Sequence, residues 1–214
     1  LTEPDLGGAL VFIAILIGMI FAAGVSYKLI AWGAAIGLIA IPPAWFYVLE
    51  PHQKKRLMVF LNPDLDPLGG GYHVIQSKIA VGSGRLLGKG IYNGTQNKLN
   101  FLPEQHTDFI FSVLGEELGF IGAIVLILLL FLLLFRILET ARQAKDRYGS
   151  LLTIGVLSML TFQVFENIGM TIGLMPVTGI TLPFMSYGGS SLLVNMIAVA
   201  LVLNVGMRRQ RINF

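Results

Sequence analysis

The chain contains no cysteine. A disulfide framework, a cysteine-ligated metal and a thiol nucleophile are therefore all excluded. Charge is nearly as scarce. Charged residues make up 13% of the 214 residues, where a soluble domain carries about 25%. A water-soluble globule of this size needs far more polar surface, which rules out an ordinary cytosolic domain, a disordered chain and a basic nucleic-acid binder. The sequence opens at Leu1 and not at Met, and its first charged residues are Glu3 and Asp5. No basic n-region, apolar h-region and cleavage site can be read there, so the expectation is a trimmed N-terminus or the later part of a longer protein. Neither a short internal repeat nor a low-complexity linker is present. Apolar residues are abundant, at 55% of the sequence with a mean hydropathy of +0.75. That composition predicts an all-α, polytopic membrane protein.

A helix needs about 20 apolar residues to cross a hydrocarbon core about 30 Å thick. Five segments qualify, the first marginally: Ala9 to Ser26, Leu29 to Leu49, Phe109 to Phe135, Leu151 to Met175 and Thr181 to Met207. Pro42-Pro43 is expected to kink the second or end it early. Most of the fifteen Lys and Arg residues fall in three runs: Lys54-Lys55-Arg56, then Arg136 to Arg147, then Arg208 to Arg211. The positive-inside rule places all three on the cytoplasmic side. Only one apolar segment separates the first two runs, so parity asks for a sixth crossing between residues 57 and 108. Tyr72 to Tyr92 is the one segment available, as a Gly-rich, cavity-lining helix carrying Lys78, Arg85 and Lys89. The alternative is a long amphipathic loop on the surface. The six-crossing reading puts residues 93–108 outside the membrane and the C-terminus inside.

The residues with chemical capacity gather beside that outer loop. Glu104, His106, Thr107 and Asp108 precede a largely apolar helix, and Glu116 and Glu117 follow within it. A carboxylate in a span is costly and points to function, although Glu116 and Glu117 would be harmless at headgroup level. Asp108 has two readings, a helix N-cap favoured by the dipole or a catalytic acid or base. His106 reads as a base, a metal ligand or simply a solvated loop residue. On the six-crossing topology His52 and His106 lie on opposite faces, which disfavours a three-His zinc site. Lys78, Arg85, Lys89 and Lys98 form a basic series leading to the same loop. They suit a phosphate-bearing substrate or snorkelling to lipid headgroups. Pro183 to Ser191, with Ser186 inside it, reads as close helix packing. Glu166, deep in an apolar segment beside Asn167, needs a partner or a proton.

Several blocks, in order, resemble one family. They are NPDLDPLGGGYHVIQSKIAVGSGRLLGKG, GTQNKLNFLPEQHTDFIFSVLGEELGF, ENIGM and LPFMSYGGSS. All are similar to the SEDS (shape, elongation, division and sporulation) proteins. HVIQSKIA and LPEQHTDFIF look more like the RodA branch than the FtsW branch. TEPDLGGAL resembles the family's Q-P-D-L-G segment, with Glu3 in place of Gln. The resemblance covers residues 1–214 as the C-terminal part, helices five to ten, of a ten-helix fold. It implies a peptidoglycan glycosyltransferase that polymerises lipid II, with the family's essential Asp falling on Asp108 in the extracytoplasmic loop 93–108. It further implies Lys78 and Lys89 as diphosphate contacts; Glu104, His106, Thr107, Glu117 and Ser186 are the candidate supporting polar groups. No metal ligand is assigned; a divalent cation, Mg2+ or Mn2+, is the only cofactor in view. The implied setting is the bacterial cytoplasmic membrane, with a class B penicillin-binding protein and the elongation machinery as partners. A flippase for the same lipid and a non-catalytic scaffold for a transpeptidase are the rivals, separated by whether the protein forms glycan strands and needs Asp108 to do so.

Overall fold

The computed structural model describes residues 6–208 apart from 48, 68, 99, 100 and 103. Thr2 to Asp5 of the Q-P-D-L-G-like segment, and Arg209 and Arg211 of the last basic run, lie outside the described residues. Within the described residues eight α-helices run in the order α1 Leu6–Ala22, α2 Tyr27–Tyr47, α3 Pro51–Leu61, α4 Gly70–Ser83, α5 Thr95–Lys98, α6 Ile110–Arg142, α7 Arg147–Thr171 and α8 Gly189–Met207, with a 3-10 turn at Pro63–Leu65. Among the described residues there is no strand. α2, α6, α7 and α8 are long and apolar enough to cross a membrane, and α1 is a shorter apolar helix. The all-helical, polytopic architecture is the expected one. Two boundaries differ. α2 continues through Pro42-Pro43 to Tyr47, and α8 starts only at Gly189, leaving residues 181–188 as a loop.

α7 is the central helix, packed by α1, α6 and α8. Small residues bring α1 close: Gly18 lies against Ser158, and Met19 lies over Gly155. Ile137, Val156, Leu160, Ala198 and Val202 form the core shared by α6, α7 and α8. α2 buries almost nothing, with Trp32 and Phe46 turned outward. Arg147 donates to the Ala23 carbonyl at 2.7 Å, and Thr140 lies against Gly206. One end of the bundle therefore gathers the α1–α2 turn, the α6–α7 turn and the C-terminal end of α8.

The basic run Lys54 to Arg56 sits at the opposite end. Arg56 makes a long hydrogen bond, 3.4 Å, to the carbonyl of Thr178 in the α7–α8 loop. The expectation that all three basic runs share one face therefore fails, and with it the parity argument and the separation of His52 from His106. α2 leads to the Asp108 end, the described residues of 49–109 stay there, and α6 leads back. The expected crossing at Tyr72 to Tyr92 is helical only within α4, whose 14 residues reach about 21 Å, too short for a span.

α4 packs on α6, fixed by a buried hydroxyl relay. Ser77 donates to the Thr171 carbonyl at 2.6 Å and stands 2.6 Å from the Ser112 hydroxyl. The glycines after α4 let residues 84–90 lie directly on α6, which is broken at Gly119 (φ 67°, ψ −164°). The freed backbone groups of α6 are taken up by this segment. Lys89 N–H and Gly90 N–H donate to the carbonyls of Glu116 and Glu117 at 3.0 and 2.9 Å, and Phe120 and Ile121 N–H donate to those of Arg85 and Leu86 at 2.8 and 3.2 Å. A Cβ at Gly84 would strike the Gly115 carbonyl, whereas one at Gly82 meets nothing within 4 Å. Gly84→Ala should therefore lower stability by about 1–3 kcal/mol through overpacking. Gly82→Ala should be neutral or stabilising. Thermal unfolding of the two variants in one detergent checks the contrast, and equal midpoints would refute it.

Candidate active site

The N-cap of α6 is Phe109, and no side chain caps the helix. The carboxylate of Asp108, one residue earlier, is therefore not used as a cap. Instead the turn that carries it is fastened from outside. The Glu104 carbonyl, at a positive φ of 50°, accepts from the N–H groups of Thr107, Asp108 and Phe109 at 3.1 to 3.3 Å. Three successive carbonyls of the turn then bond to the rest of the bundle. His106 accepts from Tyr187 N–H at 2.8 Å. Thr107 accepts from the Ser186 hydroxyl at 2.6 Å, whose oxygen also accepts from Leu182 N–H at 2.7 Å. Asp108 accepts from Asn167 Nδ2 at 2.8 Å, and the same nitrogen donates to the Ile180 carbonyl at 2.8 Å. Asn167 is fully buried, at 0% exposure. The backbone of Asp108 is thus held by α7 and the α7–α8 loop, while its side chain keeps its chemistry.

That side chain is half-buried. Burial pushes its carboxyl above the usual range, and the charge of Glu104 pushes the same way; the Thr107 hydroxyl and the Arg56 charge pull it back. Gly179 (φ 82°) lets the loop pass close, since a Cβ there would sit 3.6 Å from Asp108 Oδ2. Beside the turn, His106 and Ile110 line a cleft of about 600 Å³ with Ser186, Tyr187 and Phe184 of the loop. Across the turn, Arg56, His73 and Val177 line a groove of about 330 Å³.

Of the residues singled out in the sequence, Asp108, Glu104, His106, Thr107 and Ser186 come together here. Lys78, Lys89 and Glu117 do not. Lys89 pairs with Glu116 at 2.7 Å, next to the helix break, where the Glu117 carbonyl accepts from Gly90. Lys78 is exposed and rests its terminal carbon against Gly173, just beyond α7. Glu166 accepts from the Thr178 hydroxyl at 2.9 Å, which supplies the partner its burial requires. Sequence reasoning missed Arg56, because the positive-inside rule sent it to the other face. It also missed the clamping role of Asn167, although the ENIGM block marked the position. Among the described residues no group of three or more His, Asp or Glu comes together that could hold a metal ion.

The family model for the FtsW, RodA and SpoVE cell cycle proteins matches residues 1–211. This chain belongs to that family. It is 45% identical over 99% of its length to the peptidoglycan glycosyltransferase MrdB of Escherichia coli K12, and spans 57% of that protein. It is 48% identical over 95% of its length to the stage V sporulation protein E of Bacillus subtilis, spanning 55% of it. Among solved structures, a chain of a peptidoglycan synthase complex that coordinates polymerisation and crosslinking superposes with a TM-score of 0.78 at 35% identity, over 98% of this chain and 57% of the other. The chain therefore spans a little over half the length of the relatives it matches. It is a multi-pass membrane protein.

Proposed function

We propose that the protein polymerises lipid II into glycan strands, with Asp108 as the general base. The observation that carries this reading is a carboxylate freed from helix capping on a turn whose backbone is fixed at three consecutive carbonyls. Family membership and the glycosyltransferase relatives support it. A sugar hydroxyl is a poor nucleophile at neutral pH. Asp108 takes its proton as the new C–O bond forms at the anomeric carbon of the donor. The bond from that carbon to the diphosphate oxygen breaks, and undecaprenyl diphosphate leaves. A single displacement inverts the anomeric centre. The fixed turn contributes position, and the half-buried setting strengthens every electrostatic contact made there. An Mg2+ or Mn2+ ion arriving with the diphosphate would find Asp108 and Glu104 on the turn, and Asp66 in the neighbouring groove already paired with Lys55, a donor set that suits a metal held mainly by substrate phosphates.

The same reading sets the orientation. The end that carries Arg136, Arg142, Lys145, Arg147 and Arg208 is the cytoplasmic one by the positive-inside rule, with the C-terminus there. Asp108 then faces outward from a bacterial cytoplasmic membrane. The partner is a class B penicillin-binding protein of the elongation machinery, in keeping with the RodA-like blocks and with the synthase complex whose chain superposes here. The test is polymerisation of purified lipid II by the protein in detergent, against its Asp108→Ala form. Glycan strands from the parent alone are expected. Lipid translocation without polymer would favour a flippase.

Asp108 also predicts a pH dependence. Its carboxyl lies above the ordinary 3.8, and the base must be ionised to act. Activity should fall with acidification along a limb centred above that value, and the limb should be absent from the residual activity of Asp108→Asn. A limb at or below the ordinary aspartate value would remove the half-buried base.

A further inference from the structure

Of the cations assigned to the diphosphate by resemblance, Lys89 is paired with Glu116 and Lys78 lies exposed over Gly173. A different set faces the reacting carboxylate. The groove of about 330 Å³ between α3, α4 and the α7–α8 loop is lined by His52, Lys55, Arg56 and His73, with Asp66 as its single acidic residue. Asp66 is already engaged. It pairs with Lys55 at 2.9 Å and accepts from Gly70 N–H at 3.0 Å, and among the described residues Arg56 forms no ion pair in the groove. The guanidinium of Arg56 touches the loop at Thr178 through one nitrogen only, and its charge reaches Asp108. His73 stacks on Phe109, the neighbour of Asp108, with ring centroids 6.2 Å apart. Its Nδ1 is buried without a hydrogen-bond partner. A buried polar atom left so is costly unless something bonds to it.

We infer that this groove binds the diphosphate of a polyprenyl-diphosphate-linked sugar, with the Arg56 guanidinium and the His73 ring as its principal donors. The inference rests on the glycosyltransferase reading and names the donor-side contacts of that site. Arginine suits the task because its planar fork matches two phosphate oxygens at once. A donor held there places its anomeric carbon toward Asp108. The cleft on the other side of the turn, lined by His106, Ser186 and Tyr187, is left for the uncharged acceptor sugar.

The test measures binding of undecaprenyl diphosphate and of undecaprenol, the same tail without phosphate, to the purified membrane protein. Arg56→Gln should weaken undecaprenyl diphosphate binding at least tenfold and leave undecaprenol binding unchanged. Arg56→Lys, which keeps the charge but not the fork, should lose less. His73→Phe preserves the stack on Phe109 and removes the ring nitrogens, so it tests the site with packing intact; a loss of several-fold is expected. Lys78→Met should bind as the parent does. Inorganic diphosphate should compete, and phosphatidylglycerol vesicles should not. Unchanged diphosphate-lipid affinity in both Arg56→Gln and His73→Phe overturns the groove while a polymerising parent keeps the glycosyltransferase reading. Equal competition by phosphatidylglycerol also overturns it, by assigning the groove to bulk anionic lipid. A parent that neither binds undecaprenyl diphosphate nor polymerises lipid II overturns both.

Discussion

Asp108→Asn is expected to cut glycan polymerisation by roughly 10²–10⁴-fold, the range of a lost general base, with no loss of stability. The second half separates this residue from a structural one. Asn is as good an N-cap as Asp, yet no cap is formed at α6, so even Asp108→Ala should fold. The sign of the stability change follows from the raised carboxyl. A carboxyl raised in the folded state favours the folded form while protonated, and that contribution is lost as pH rises through the folded value. At pH 7 the ionised group is a burden, and Asp108→Asn should melt at the same temperature as the parent or higher. Parallel assays of polymer yield and thermal midpoint check both parts. Full polymerisation by the variant would leave the carboxylate with no role in the reaction.

The largest stability effect is expected at Glu116. It is 1% exposed and accepts from Lys89 Nζ at 2.7 Å, Thr95 N–H at 2.8 Å, the Thr95 hydroxyl at 3.0 Å and Gln96 N–H at 3.2 Å. Glu116→Leu leaves two amides without their acceptor and takes the carboxylate from the Lys89 ammonium, which keeps only the Thr95 hydroxyl at 2.8 Å. Breaking such a pair costs about 3–5 kcal/mol. Lys89→Met should cost less, because Glu116 keeps its Thr95 and Gln96 donors and Lys89 is partly exposed, at 29%. Unfolding in detergent should rank the parent above Lys89→Met and Lys89→Met above Glu116→Leu. If Lys89 instead held the substrate diphosphate, Lys89→Met would keep the parent's midpoint and lose affinity for undecaprenyl diphosphate. The two roles thus give opposite pairs of results.

The five apolar helices and the Asp108 turn were legible in the sequence because they rest on local signals. Uncharged runs announce spans, and Glu104 to Asp108 stand together in sequence. The end of the bundle on which the described residues of 49–109 lie was not legible. Three lysines and arginines in a row read as cytoplasmic, and nothing near Lys54 to Arg56 says that Thr178, far along the chain, will accept a hydrogen bond from Arg56. The glycines after α4 were misread for a similar reason. Their purpose is close approach to the backbone of α6, which only tertiary structure displays, and a Gly-rich polar stretch looks the same whether it lines a cavity or lies across a broken helix. Lys89 illustrates the outcome. Its place in a basic series suggested a ligand for phosphate, whereas its neighbour in space is Glu116.

The break at Gly119 also bears on how the protein is made. Four backbone groups of α6 find their partners in Arg85 to Gly90, a stretch that the ribosome delivers earlier. The complement to the gap is therefore already synthesised when α6 emerges, and the outer turns of α6 need never wait in lipid with open hydrogen bonds. A circularly permuted chain, opened between α4 and α6 so that α6 comes first, would reverse that order. Its α6 would have to enter the bilayer with those groups unpaired, at several kcal/mol for each. Biosynthetic order is in this sense part of what makes the broken helix tolerable.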